Sequence, residues 1–232
     1  MKKTGIIILL LLICNSASAQ LFTKERVKNQ ENFDKDLLTW GYFLGFNSYD
    51  FKFQYEADLK DIVVQTSVGF NVGLVGDLRI NDYFNLRLEP GLYISKRNLQ
   101  YDFATTNPSD LFREVNSTYI HFPLLLKAST KRINNFKPFV VGGLSTALNL
   151  SSNQDNPDDN NSGQFRTKKG MLFYEVGFGI DFYLEWFKFT PSIRGVFAIN
   201  DELVRDSDPD SPWTGNIANM KTRGVFVNFT FQ

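Results

Sequence analysis

The chain has one cysteine and one histidine in 232 residues. Metal cages that need several such ligands, and most nucleophile–base pairs, are therefore excluded. An excess of charge is also missing. Lys+Arg and Asp+Glu both number 25, so there is no basic surplus of the kind that coats nucleic acid. Beyond the first twenty or so residues there is no long apolar run, and no segment keeps a helical period. What the chain does have is phenylalanine, 23 in all, and an aromatic share of 15%, which favours strands. Its apolar share of 43% suits a folded body, and its length suits one domain or two small ones.

The first segment reads as a leader. Met1-Lys2-Lys3 is followed by an apolar run from Ile6 to Cys14, then by Ala17-Ser18-Ala19 before Gln20. That order is a positive region, a short apolar region and an A-x-A cleavage site. The run is too short to span a bilayer. Cleavage is expected between Ala19 and Gln20, which leaves the mature chain without cysteine. A lipid-modified Cys14 is the rival reading, opposed by the bulky Ile13 before it. Loss of Lys2 and Lys3 and of no acid takes the net charge from 0 to −2. An exported chain of this kind is periplasmic, secreted or an outer-membrane barrel.

Residues 20–38 are polar and mixed in charge, and read as a flexible arm with at most a short helix. From Thr39 onward the pattern is that of strands. Val68, Phe70, Val72, Leu74, Leu78 and Ile80 share one parity, while Asn71, Asp77 and Arg79 share the other. Phe84, Leu86, Leu88, Leu92 and Ile94 alternate with Asn85, Arg87, Glu89, Tyr93 and Ser95. Leu172 to Phe182 and Val225 to Phe231 behave alike, and weaker candidates are Trp40–Tyr55, Asn116–Ser129, Pro138–Leu150 and Phe187–Ile199. Period two over such lengths makes eight strands.

Two hairpin registers follow from parity, because a slip of one residue moves every side chain to the wrong face. A two-residue turn at Glu185-Trp186 sets Phe182 against Phe189, Phe178 against Ile193 and Tyr174 against Phe197. A three-residue turn at Asn81-Asp82-Tyr83 sets Ile80 against Phe84 and Leu78 against Leu86. In the first strand the apolar parity changes near Asn47-Ser48, and a bulge is expected there. Connections near 81–83, 130–137 and 185–186 are short, whereas those near 56–66, 98–115, 151–169 and 200–219 are long and polar. Short turns at one end and long loops at the other describe a transmembrane β-barrel.

A soluble barrel would alternate too. Three features favour the membrane. The apolar stripes have the length needed to cross a bilayer with tilt. The opposite face carries Gly, Ser, Asn and Tyr with a few opposed charges, which suits a crowded lumen. The export signal and the terminal Phe229-Thr230-Phe231 fit outer-membrane assembly. The expected fold class is all-β: an antiparallel transmembrane β-barrel of eight strands, 39–232, with a periplasmic N-terminal arm, 20–38, after a signal peptide, 1–19. The expected location is the outer membrane, reached by Sec-type export.

The lumen side gathers Arg87, Glu89, Lys127, Glu175, Asp181 and Arg194. Glu175 and Arg194 stand one diagonal step apart on neighbouring strands. A proton or solute pathway is one reading. A charge network that fills the barrel is the favoured one, since buried charges need partners and eight strands leave room only for side chains. His121 lacks a nucleophile and an orienting acid in any motif, so it reads as packed. Asp206, Asp208 and Asp210 imitate the start of a calcium loop, but Ser211 and Ile217 stand where Gly and Glu are required, and a solvated loop is expected. Pro90, Pro123, Pro138 and Pro191 fall inside candidate strands, at bulges or strand ends. No catalytic residue, metal, cofactor, nucleic acid or small-molecule substrate is indicated.

Several elements resemble the PorT/SprT-like outer-membrane barrels of Bacteroidota. They are Val68-Gly69-Phe70-Asn71-Val72-Gly73-Leu74-Val75 with Asp77-Leu78-Arg79, Leu86-Arg87 with Pro90-Gly91-Leu92, Lys96-Arg97 with Leu99 and Tyr101, and Phe122-Pro123-Leu124-Leu125-Leu126-Lys127. Glu175, Gly177, Gly179, Asp181, Tyr183 and Phe187-Lys188 add to them. The resemblance runs from Trp40 to the C-terminus and departs from the usual Ile at Phe122. It implies a non-enzymatic role in type IX protein secretion, and in gliding where present. Its implied partners are outer-membrane lipid and other secretion components. A small structural or adhesive barrel acting through its loops is the alternative.

Overall fold

The computed structural model describes residues 28–57, 61–157 and 163–232. The expected cleavage point, Ala19 and Gln20, lies outside them. Among the described residues there are ten strands: β1 (Leu38–Tyr55), β2 (Val63–Thr66), β3 (Val68–Arg79), β4 (Phe84–Leu88), β5 (Gly91–Gln100), β6 (Phe112–Ser129), β7 (Phe136–Asn149), β8 (Gly170–Tyr183), β9 (Lys188–Ala198) and β10 (Ile217–Phe231). All pairings are antiparallel, and β1 pairs with both β10 and β3, which closes the sheet. The ten strands occupy eight positions in the ring. β4 and β5 share one register against β3 and β6, so they are one strand broken at Glu89-Pro90. β2 continues β3 after a one-residue offset at Ser67.

Both argued hairpins have their expected register. Phe182 faces Phe189, Phe178 faces Ile193 and Tyr174 faces Phe197, and the Leu184 amide donates to the Phe187 carbonyl across Glu185-Trp186. Leu78 faces Leu86, and the Ile80 amide donates to the Phe84 carbonyl. The prolines also find a reason. Pro123 sits opposite Glu89, whose amide donates to the Pro123 carbonyl, and the Pro90 carbonyl accepts from the Leu74 amide on the other side, so one missing donor falls in each of the two ladders that flank the β4–β5 break. Pro138 pairs with Ile180, and Pro191 lies where the β8–β9 ladder is interrupted between Gly179↔Ser192 and Phe182↔Phe189. Glu89 and Asp181, two acids of the lumen, stand at these gaps.

The bulge expected at Asn47-Ser48 is absent. Register runs unbroken from Tyr42↔Phe231 to Gln54↔Asn219 and shifts only at Gln54/Tyr55. The solvent changes there instead of the backbone. Trp40, Tyr42, Leu44 and Phe46 point outward and are exposed, with Phe43, Gly45 and Asn47 inside. Above Ser48, the outward residues are Asp50, Lys52 and Gln54, and the inward ones are Tyr49, Phe51 and Phe53. β5 and β6 repeat the inversion: Ile94 and Phe122 are exposed in the lower wall, whereas Leu99 and Val115 are buried inside the upper wall. The lower half is apolar outside and holds charges mixed with buried aromatic and apolar side chains such as Phe43, Val75, Tyr93 and Phe226 inside, and the upper half is a barrel with an ordinary apolar core. β5, β6 and β10 accordingly reach three or four residues into segments expected to be loops.

The described part of the N-terminal arm, residues 28–37, is hydrogen-bonded to the barrel. A short 3-10 turn, Phe33–Lys35, lies across the short-turn end. The Tyr183 hydroxyl donates to Asp34 at 2.5 Å, the Asn29 amide donates to Asn135 at 2.9 Å, and Arg132 donates to the carbonyls of Asn29 and Gln30. Lys188 stands over the Phe33 ring at 4.5 Å.

Candidate functional site

Period two alone sends one residue in two into the lumen, and that fixes which polar side chains meet. All six expected lumen charges, Arg87, Glu89, Lys127, Glu175, Asp181 and Arg194, are buried there. Arg194 donates to Glu89 at 2.7 Å and pairs with Glu175 at 2.9 Å. Arg87 binds Glu89 through its Nε and reaches Thr230 at 3.1 Å. Lys127 donates to Asp181 at 2.6 Å, and Thr190 donates to the other oxygen of that carboxylate at 2.7 Å. Asp77 joins the two halves, 3.7 Å from Arg87 and 3.9 Å from Lys127. With Lys188, also buried, the layer holds four cations against the four carboxylates of Asp77, Glu89, Glu175 and Asp181. Sequence reading missed Asp77 and Lys188 as members, although Asp77 shares the inward parity.

His121 has neighbours that no motif announced. Its Nε2 lies 2.9 Å from the Ser145 hydroxyl and 3.2 Å from Glu175, residues supplied by β7 and β8. The three types are those of a hydrolase relay, but the geometry is not. A relay needs the acid on the ring nitrogen opposite the nucleophile. Here both approach the same nitrogen. Tyr93 and Phe173 pack against the ring edge-on at 5.0 and 5.5 Å, and the His121 and Glu175 side chains have no exposed surface. His121 is a packed lumen residue.

Above this layer a further buried cation, Arg97, was not foreseen. Arg97 donates to Thr222 at 3.0 Å, to Ser117 at 2.7 Å and to Tyr119 at 3.1 Å, and its guanidinium covers the Phe51 ring at 3.8 Å. Glu202, from the connection after β9, accepts from Tyr119 at 2.7 Å and from Thr222. The apolar core of the upper half follows, built from Phe51, Leu99, Tyr101, Val115, Phe165, Leu203, Trp213, Ile217 and Met220. Burial pushes the Tyr101 hydroxyl above the usual phenol range. The acidic loop is not simply solvated: Asp206 pairs with Arg166 at 3.3 Å and accepts from Ser211 at 2.6 Å, so its carboxylate is buried. Among the described residues no group of three or more His, Cys, Asp and Glu is placed to hold a metal ion.

An outward apolar belt, an inward polar filling, and turns short at one end and long at the other define a membrane barrel. The family model described as "Outer membrane protein beta-barrel domain" matches residues 19–204. The chain belongs to that family. This is an outer-membrane β-barrel, and its belt side chains meet lipid. No functionally curated protein matches the chain. Among solved structures, it is similar to the outer membrane protein OprG from Pseudomonas aeruginosa, with 14% identity over 84% of this chain and 93% of that one and a TM-score of 0.48. It is also similar to Ail, the attachment invasion locus protein of Yersinia pestis, with 13% identity over 83% and 96% and a TM-score of 0.39.

Proposed function

We propose that this barrel is a non-enzymatic, non-conducting scaffold of the outer membrane, acting as an assembly component of type IX protein secretion. The observation that carries the scaffold reading is the filled lumen, where Arg194 and Glu89 meet across the ring while the arm lies over one mouth and an apolar core fills the other. In this reading Arg87, Glu89, Lys127, Glu175, Asp181 and Arg194 hold the barrel's shape and carry nothing across it. A closed barrel of eight strand positions has no room for a folded cargo, so it works beside the true channel. The short-turn end, with the described part of the N-terminal arm, then faces the periplasm, and the arm, residues 20–38, is the surface proposed to meet periplasmic partners. The type IX assignment is supported by the PorT/SprT-like elements around Val68–Val75, Pro90–Leu92 and Pro123–Lys127.

The test is a clean gene deletion, complemented by the full chain and by a chain lacking residues 21–28. Cargo should fail to reach the medium without the gene and should return with the full chain. Normal secretion in the deletion strain would remove the type IX role. The second reading, an adhesive barrel, is favoured by one feature: the wall continues above the apolar belt as a cored β-structure.

A further inference from the structure

Two lysines on the outside of the upper wall face each other, and no carboxylate is paired to either. In the unbroken β1–β10 register Lys52 is the direct partner of Lys221, one outward pair above Asp50 and Arg223. Both have the outward parity, since Phe51, Met220 and Thr222 beside them are buried. Residues directly opposite in an antiparallel pair hold their Cβ atoms about 4.5–5.5 Å apart, and like charges there are destabilising. Among the described residues neither lysine has an ion-pair partner. The acid on the same outer face, Asp50, is engaged: its Oδ2 accepts from Arg223 Nε at 2.9 Å and from Nη2 at 2.6 Å. The Arg223 guanidinium is about half exposed and has further N–H donors to offer. The next outward pair, Gln54 and Asn219, is uncharged.

These charges stand where lipid gives way to water. Val225 is exposed and belongs to the apolar belt. With strands rising roughly 3.3 Å per residue and tilted roughly 40°, Arg223 stands about 5 Å above Val225 and Lys221 about 10 Å. The headgroup layer is roughly 5–8 Å deep on each side of the hydrocarbon, and a long lysine stem reaches down into it. A groove of about 350 Å³ joins the two zones, lined by Val225 and Phe197 together with Ser48, Asp50 and Arg223. Charge and place together name the ligand. Lys52, Lys221 and Arg223 with Asp50 leave a net charge of +2. A phosphomonoester carries about −1.5 to −2 at neutral pH, whereas a phosphodiester has a single ionisable oxygen and leaves part of that charge unmatched. The groove opens onto the belt, which suits a phosphate that carries acyl chains. We propose that this site binds the phosphomonoester headgroup of a lipid in the leaflet at the long-loop end, its oxygens between Lys52, Lys221 and Arg223 and a chain along Val225 and Phe197. The site rests on the barrel's crossing of the membrane and is independent of the secretion role.

The full chain, refolded in uncharged detergent micelles, is titrated calorimetrically at mildly alkaline pH, where the monoester is fully ionised. The probes are the short-chain lipids dihexanoyl phosphatidic acid, dihexanoyl phosphatidylglycerol and dihexanoyl phosphatidylcholine, and inorganic phosphate. Phosphatidic acid should bind saturably, and more tightly than the diester lipids and than free phosphate. Lys52→Gln and Lys221→Gln should each weaken that binding about fivefold, the worth of one basic side chain at a lipid surface. Each removes half of a like-charge pair on the outer face, so neither should lower the urea midpoint of the lipid-free barrel. Lys35→Gln with Lys131→Gln, two exposed lysines at the short-turn end, removes charge elsewhere and should leave the binding unchanged. Several results would overturn the proposal: no saturable binding of phosphatidic acid, equal binding of phosphatidylglycerol, or inorganic phosphate bound as tightly as the lipid. Undiminished binding in the Lys52 and Lys221 variants, a lowered midpoint in them, or an equal loss in the short-turn control would do the same.

Discussion

Arg194 and Glu89 meet at 2.7 Å although their strands stand four positions apart in a ring of eight. Arg194 belongs to β9, and Glu89 lies at the β4–β5 junction on the opposite wall. A pair of this kind spans the lumen and fixes its width. It also divides the interior, because Glu175, Arg87 and Asp77 extend it sideways to other strands.

Removing the shared cation should therefore be costly. Arg194→Met leaves Glu89 and Glu175 buried without their common partner, and breaking a buried pair in this way costs about 3–5 kcal/mol. The urea midpoint of the refolded barrel should fall accordingly. The double change Arg194→Met and Glu175→Gln should recover most of the loss, because it removes the stranded charge while Glu89 keeps Arg87, leaving three cations against three carboxylates. An unaltered midpoint in the single variant would show that the pair holds nothing.

The outward belt makes a separate prediction. Phe178 is 59% exposed and Leu88 44%, both facing lipid. Phe178→Arg or Leu88→Arg should cost about 2–4 kcal/mol at mid-membrane depth and lower the folded fraction on heat-modifiability gels. Asp155→Asn, in the loop 153–162, should leave assembly unchanged, since Asp155 pairs with Lys169 only at the exposed surface. Equal tolerance at all three positions would contradict the assigned faces.

How far the sequence reveals this barrel depends on what parity can distinguish. The turns at Asn81–Tyr83 and Glu185–Trp186 were legible because only one loop length keeps apolar residues paired across each hairpin. The inversion at Asn47–Ser48 was not. A change of parity along one strand has the same signature whether the backbone bulges or the surroundings change from lipid to water. Only the neighbours decide, and Asn47↔Phe226 and Ser48↔Val225 continue the register. The six lumen charges were legible from their shared inward parity. Arg97 and Glu202, which share Tyr119 and Thr222, and Ser145 beside His121, were not, because these contacts join residues distant in sequence, and Glu202 belongs to no strand.

The upper core should be a stability element distinct from the membrane belt. Leu203 and Leu99 are fully buried in it. Leu203→Ala or Leu99→Ala should cost about 2–5 kcal/mol and make the long loops sensitive to protease added outside cells, while the barrel still fractionates with the outer membrane. Loss of the protein from that fraction would mean that the upper core and the membrane wall fold as one unit.

Processing is checked at the N-terminus. Mass spectrometry of the protein from the outer-membrane fraction should give Gln20 as its first residue, and a lipid adduct on Cys14 should be absent. A mature chain that retains Cys14 would restore the lipoprotein reading.

The central claim is that the lumen is closed, and electrical recording tests it most directly. The full chain, inserted into planar lipid bilayers, should show no steady conductance steps, because the Arg194–Glu89 pair and its neighbours fill the cross-section at mid-depth. Reproducible ohmic steps from the folded protein would contradict the closed lumen and return the charge network to the role of a pathway.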